Sequence, residues 1–494
     1  MFSERELVHN ITTAPQVAAK PGIDGSSGIL ETESQCSRKW LRVRVGGVYL
    51  ASILASGVIF VWPVVQPYFE EAGVYADACP EIKAGNESAG NATAHSTCQS
   101  QEMMLSQAYL IGGNLLLVAA WPIGVSFDIL GAKLTSALGC ALCSVGGVAL
   151  AVAVKHPSSA SYLLLPGVLL CDSGSTMNSF ALYGFLWHFH DSQGFLAGLA
   201  NSTYAVSSIL PLMLVKLLPF EIALWWAAAL SAVALVLCVL MVPSSEEYLA
   251  AAEQVLGHKF EKPRFDLRSV VRSCYCIFEA NATDNTLFTI SLLFIMASGQ
   301  YYVAIQWPFL KDLLGSGSAA SQVALTGGTV YGVLGFFLSP MVGYTSDLIG
   351  MKGLVLIMTL LTTLMTPLIF TPSLTLQMAG NVVATVLSLL QGTYYYRWFA
   401  LYAPPDMFGN FQGLICCFCG LFSLAITSLL QAFASSALSG LAAYIVPLAG
   451  LSAVNLFSVL AFCGHILSIQ MPVCPPSGHD VHGKYEIVAC SEGI

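Results

Sequence analysis

The chain has 494 residues, 56% of them hydrophobic and only 10% charged, against about a quarter charged in a soluble domain. With a mean hydropathy of +0.71, water is not its main solvent. The net charge of -9 is spread over termini and loops with no basic stripe, which excludes nucleic acid as a partner.

Residues 1–40 read as a polar cytoplasmic tail, and Met1 to Cys36 lacks the apolar core of a cleavable signal peptide. The first apolar run, Val43 to Gln66, follows Arg38, Lys39, Arg42 and Arg44, cations that hold that end in the cytoplasm. Residues 67–103 then form an extracellular loop carrying Cys79 and Cys98, 19 residues apart, and the acceptor sequences Asn86-Glu-Ser and Asn91-Ala-Thr. An oxidising compartment suits both a Cys79–Cys98 disulfide and glycans on Asn86 and Asn91. The sequons at Asn10, Asn201 and Asn281 fall on the predicted cytoplasmic side and are expected unmodified.

Eleven further apolar runs follow, at 104–124, 134–154, 161–186, 194–217, 221–242, 286–309, 321–342, 353–371, 376–402, 408–434 and 443–470. Each is close to the ~20 residues that cross a ~30 Å hydrocarbon core. The expected architecture is therefore all-α, with twelve transmembrane helices and both termini cytoplasmic. Residues 41–242 make an N-terminal half, 243–285 a cytoplasmic linker, 286–471 a C-terminal half and 472–494 a flexible tail. Of the 19 Lys and Arg, 14 lie on predicted inner segments; Lys83, Lys155, Lys216 and Lys311 lie outside and Arg397 within a helix, a bias that supports this orientation. The linker gathers Glu246, Glu247, Glu253, Lys259, Lys262, Arg264, Arg268 and Arg272, and Tyr248 to Leu256 has helical spacing.

One pattern occurs twice. Gly124-Val-Ser-Phe-Asp128-Ile-Leu-Gly131-Ala-Lys133 and Gly343-Tyr-Thr-Ser-Asp347-Leu-Ile-Gly350-Met-Lys352 match in their Gly, Asp and Lys positions at a shift of 219. Two copies in register, each in a short hydrophilic break, indicate an internal duplication. The pattern resembles the loop between helices two and three, and between eight and nine, of the major facilitator superfamily, whose halves are parallel repeats. The resemblance implies that the first, fourth, seventh and tenth spans line a central path. It also implies that Asp128 and Asp347 bind near a helix N-terminus and a basic residue across the halves, with Lys133 and Lys352 able to balance the charge.

Polar residues agree with that placement. Asp172, Ser175, Thr176 and Ser179, with Tyr183, make one stripe on the fourth span; Asn381, Thr385, Ser388, Gln391 and Tyr395 make another on the tenth. The seventh offers Ser298, Tyr302 and Gln306, and the first Ser52, Ser56 and Gln66 around Trp62-Pro63. Asp172, mid-span, costs ~2.5–3.5 kcal/mol to insert. It is read as a counter-charge or proton-exchanging carboxyl in the path, with a neutral structural hydrogen-bond partner as the alternative. Arg397, beside Tyr394, Tyr395, Tyr396 and Trp398, is read as an anchor, a cytoplasmic gate or a carboxylate binder. The cysteines and histidines show no metal-ligand spacing, and no Walker-type phosphate loop or catalytic constellation is present. No enzyme activity is suggested.

Gly57-Val-Ile-Phe-Val-Trp62-Pro63, Phe69, Cys79, Asn91-Ala-Thr, Cys98-Gln-Ser-Gln-Glu102, Lys216-Leu-Leu and Tyr402-Ala-Pro404 before Phe408-Gly409 together resemble solute carrier family 43, the L-type amino-acid and nucleobase facilitators. They are also similar to the related apicomplexan amino-acid transporters. The resemblance implies movement of an amino acid or related solute down its gradient or by exchange, without a cofactor. Asp172 and Ser388 depart from that family's pattern. An anionic group in the cavity leans toward arginine or lysine; a large neutral amino acid, a nucleobase, and a receptor without transport remain open. The expected setting is the plasma membrane, with a monomer as default.

Overall fold

The computed structural model describes residues 27–79 apart from 56 and 58–61, 99–259 apart from 208 and 258, and 267–469 apart from 316 and 405. By packing, residues 1–44 form one unit and residues 45–494 another. Of the expectations above, Asn10, Asn86, Asn91, Cys98, the centre of the first loop and the C-terminal tail lie outside the described residues.

The helices, in chain order, are α1 (Ser27–Leu54), α2 (Trp62–Glu71), α3 (Gln99–Lys155), α4 (Leu164–Tyr183), α5 (Gln193–Ser207), α6 (Ile209–Leu217) and α7 (Phe220–Met241). There follow α8 (Ser245–Leu256), α9 (Leu267–Ala280), α10 (Ala282–Leu314), α11 (Gly317–Ile369), α12 (Leu374–Tyr402), α13 (Phe408–Ala437) and α14 (Ala442–Ser468). Seven of these (α3, α7 and α10 to α14) are long and apolar enough to cross a membrane. Their outer faces show what covers them: Trp226, Val233, Val236 and Leu240 on α7 and Leu360 and Leu364 on α11 are all exposed. Exposed apolar surface of this extent on helices of spanning length suits contact with lipid.

At 57 and 53 residues, α3 and α11 would each be ~80 Å long if straight, more than twice a bilayer core. Neither is straight. Each breaks at the last glycine of the repeated motif, Gly131 (φ 81, ψ 168) and Gly350 (φ 69, ψ -177). This is backbone that a residue with a Cβ all but never adopts, so the duplicated glycines end one helix and start the next. The chain turns back there. A Cβ on Gly112, before the break, would lie 3.3 Å from Val168 of α4, and one on Gly146, after it, 2.8 Å from Gly167 O. Both arms thus reach the same level of α4. In α11, Val323 from one arm and Ile369 from the other share a core cluster with Phe309 of α10 and Leu448 of α14.

The linker carries the helices α8 and α9. Ser244 caps α8 by accepting from Glu247 N, and Gly257 ends it at φ 66. This helix lies on the first motif: a Cβ on Gly131 would stand 2.7 Å from Ser245 Cβ, and Tyr248 packs edge-on against Phe127. The fifth predicted span is helical over its described residues on either side of position 208, and α10 begins at Ala282, four residues before the predicted start.

Candidate functional site

The two motif aspartates make matching contacts, each on the start of a helix of the other repeat. Asp128, 8% exposed, accepts from Gly409 N at 3.0 Å, Asn410 N at 2.7 Å and Asn410 Nδ2 at 2.6 Å. Gly409 and Asn410 are the second and third residues of α13, whose first-turn N–H groups have no partner inside the helix. Asp347 does the same to α5, accepting from Gly194 N at 3.1 Å and Phe195 N at 3.2 Å. Each carboxylate therefore caps a helix of the other repeat, and the positive end of that helix favours the charge.

The first glycine of each motif permits the approach. A Cβ on Gly124 would strike Gly409 O, and one on Gly343 would strike Gly194 O. Here the two repeats meet backbone to backbone, which only Gly allows.

The two latches differ in their cation. Arg397 of α12 donates from Nη1 to Asp347 Oδ1 at 2.8 Å and to Ser346 Oγ at 3.3 Å. Lys352, expected to balance Asp347, instead reaches Leu467 O at 3.4 Å, and among the described residues Lys133 forms no ion pair with Asp128. A lysine five residues past the aspartate lies beyond the Gly break, so its stem leaves in another direction. Arg397 thus joins the Asp347 cap. Behind the latches, Tyr183 of α4 and Tyr396 of α12 meet with ring centroids 4.4 Å apart, and both are buried. A third polar knot ties α10, α12 and α14 together. There Asp284 accepts from Tyr402 Oη at 3.1 Å and contacts His465 Nε2 at 2.7 Å.

Further along the interface the predicted path residues divide into groups. Asp172 is 2% exposed and, with Ser175, stands beside Gly57: a Cβ there would strike Asp172 Oδ1. Tyr109 of α3 lies within electrostatic reach of Asp172 and of Tyr331 on α11. Ser179 Oγ donates to Thr176 O, and Ser388 Oγ to Ala384 O, so these hydroxyls are held by their own helices. Ser388 is exposed, Gln391 and Tyr395 half-buried. They lie roughly 180–240° around α12 from exposed Val382 and Ala400, so α12 is uncovered on an inner, polar face as well as an outer, apolar one. Tyr302 and Gln306 come together, with Gln306 Nε2 3.4 Å from Tyr302 Oη and 3.5 Å from Asn381 Oδ1. Gln66 stands apart, fully buried on α2 and donating to Glu70.

Glu70, Glu102, Lys311, Asn201 and Asn410 were not singled out from the sequence as site residues. Asn201 donates to Leu389 O at 2.9 Å and Ser339 Oγ at 3.4 Å, joining α5 to α12 and α11. Only the four-residue spacing of Gln66 and Glu70 was a signal that sequence could have offered.

No family model matches the chain. Among solved structures, the crystal structure of the human organic anion transporter MFSD10 (TETRAN) superposes with a TM-score of 0.55 at 16% identity. The match covers 85% of this chain and 99% of that one. The chain shares that structure's fold. At that identity the likeness shows the fold alone; within it, α5 and α13 face the motif of the opposite repeat.

Proposed function

We propose that the protein is a twelve-span, multi-pass membrane transporter that moves an amino acid by alternating access. The observation that carries the reading is the reciprocal capping, Asp128 on α13 and Asp347 on α5. An interface meant to stay shut would be packed with apolar side chains; this end closes on glycine backbone and two carboxylates. Such contacts are replaceable by water, so the repeats can part and re-form. The name of the structural neighbour adds support for transport, but its organic anions fit this path poorly. Asp172, 2% exposed, would repel an anion, and attracts a cationic group more strongly as water is excluded. The substrate class therefore leans to arginine and lysine. The Tyr302–Gln306–Asn381 group, with Gln391 and Tyr395 on the polar face of α12, supports a large neutral amino acid as the second reading.

In this reading the motif end is cytoplasmic and the opposite end faces outward at the plasma membrane. Cys79 is disulfide-bonded, which supports the Cys79–Cys98 bridge in an oxidising space. The test is uptake of labelled arginine, leucine, tyrosine, adenine and benzoate into oocytes, wild type beside Asp172→Asn. Arginine uptake lost in the variant at equal surface expression is the expected result. Leucine or tyrosine uptake that survives Asp172→Asn moves the protein to the second reading, and benzoate uptake overturns both.

A further inference from the structure

At the end of the interface opposite the motifs, two carboxylates share one cation. Lys311 of α10 donates to Glu102 of α3 at 3.0 Å, and Glu70 of α2 lies within range of both. Glu70 is 4% exposed and its Oε1 accepts from Gln66 Nε2 at 3.0 Å. Gln101 Nε2 donates to Glu70 O at 3.2 Å and Val74 O at 2.9 Å, fixing the end of α2 against the start of α3.

One ammonium offsets one carboxylate. The other, buried beside a like charge, is far more stable neutral. Glu102 holds the lysine and is the wetter of the two, so the proton belongs on Glu70. The buried amide beside it fits that state. Among the described residues Gln66 Oε1 has no hydrogen-bond partner, and turning the amide over, which exchanges its oxygen and nitrogen in place, presents that oxygen to a Glu70 O–H. Gln66 can thus donate to ionised Glu70 or accept from protonated Glu70 without moving its chain.

We propose that Glu70 is a proton-binding site that controls this end of the interface. Protonated, it leaves Lys311 to Glu102 and the end stays latched. Ionised, it competes with Glu102 for Lys311. The proton passes from the Glu70 carboxyl to water, the charge left on the carboxylate is met by Lys311 Nζ, and Glu102 at the rim is released to solvent, freeing α3 from α10. The other charged groups near the cluster are Glu71 on the same helix, Asp77 in the turn after it, and Asp312 beside Lys311; Tyr444 of α14 lies within range of Glu102 and Asp312. The first arm of α11, which also packs on α2, carries no Asp, Glu, Lys or Arg before Asp347.

Burial, and then Glu102, push Glu70 up to about 7, while the Gln66 bond and Lys311 pull the other way. In an opened, wet state its value falls back toward 4.5. The latched state then holds the proton more tightly. Its advantage is full below the ordinary value and is lost as pH rises through about 7. Acid keeps this end shut and neutral to alkaline solution opens it, by up to on the order of a hundredfold. Only the consequence, that a proton gradient biases transport, rests on the transporter reading; the site is testable without any solute.

The test uses the full chain in lipid nanodiscs with no solute. Infrared titration of the protonated carboxyl band, from pH 4 to 9, is compared for wild type, Glu70→Gln and Glu102→Gln. In parallel, an Ala304→Cys variant, altered on the buried face of α10 packed against the α2 cluster, is labelled with a membrane-impermeant maleimide. Rates are normalised to those of Gly315→Cys, at an exposed position. The expected result is a band titrating near neutrality that shifts to lower pH in Glu102→Gln, where Lys311 is left to Glu70, and vanishes in Glu70→Gln. Normalised labelling of Ala304→Cys should rise at least tenfold from pH 5 to 8, and should be slow and flat with pH when Glu70→Gln is added. A neutral-range band that survives Glu70→Gln overturns the proposal, as does labelling that tracks the reference variant. Glu70→Asp should shift the band rather than remove it, which keeps the test decisive if the glutamine variant folds poorly. Failure of every solute in the uptake panel would sink the amino-acid reading and leave this result standing.

Discussion

Asp347 is held by two backbone N–H groups and one guanidinium, Asp128 by two N–H groups and a neutral amide. Hydrogen bonds to a charged group contribute ~1.5–3 kcal/mol each, so neutralising either carboxylate should move the gate equilibrium roughly tenfold or more. Asp347→Asn is expected to slow initial uptake about tenfold with little change in KM. An unchanged rate at equal surface expression removes its role as a latch. Arg397→Lys should cost less than Asp347→Asn, because a lysine keeps the charge but not the placement of Nη1, which donates to both Asp347 and Ser346. At this scale the sequence named Asp128, Asp347, Arg397 and Asp172 but could not pair them. Arg397 and Asp347 are 50 residues apart, and pairing over such distances leaves no periodic trace. Lys352, the nearer cation in sequence, was the wrong partner for the same reason.

At the scale of single elements, glycine does two separable jobs. Gly350 sits at φ 69 with nothing within 4 Å of the place a Cβ would take, so Gly350→Ala tests backbone strain alone. It should lower stability by ~1–3 kcal/mol, seen as a fall in the thermal midpoint of the purified protein. Gly124→Ala is the converse. It adds a good helix former inside α3 but drives a methyl group into Gly409 O, so the thermal midpoint should hold while uptake slows and the motif end labels faster with maleimide. A coincident fall in midpoint for Gly124→Ala would mean that the contact is structural. The helices themselves were legible because a membrane span needs only length and apolarity. The break at Gly131 was legible as a repeat, and its sharpness came from the backbone angles. The helix in the linker was partly legible from its spacing, but the packing of Tyr248 against Phe127 was not.

At the scale of the whole molecule, the two capping aspartates lie at separate helix N-termini, one in each repeat. If both serve one closed state, their losses add in free energy: Asp128→Asn with Asp347→Asn should slow uptake by about the product of the single effects. A double variant no slower than the worse single one would mean that only one latch limits turnover. The opposite end is set by Glu70, Glu102 and Lys311, which a reading by span and loop left on two separate outer loops. The sequence by itself determined that the chain lives in lipid, that it is built of long helices, and that it carries one motif twice at a shift of 219, because hydropathy and duplication are local properties. Only the tertiary structure decided which helix each aspartate caps, which cation joins Asp347, and that Glu70 lies within electrostatic range of the Glu102–Lys311 pair at the far end. Those facts follow from which helices meet across the repeats, and such contacts join residues that the chain keeps far apart.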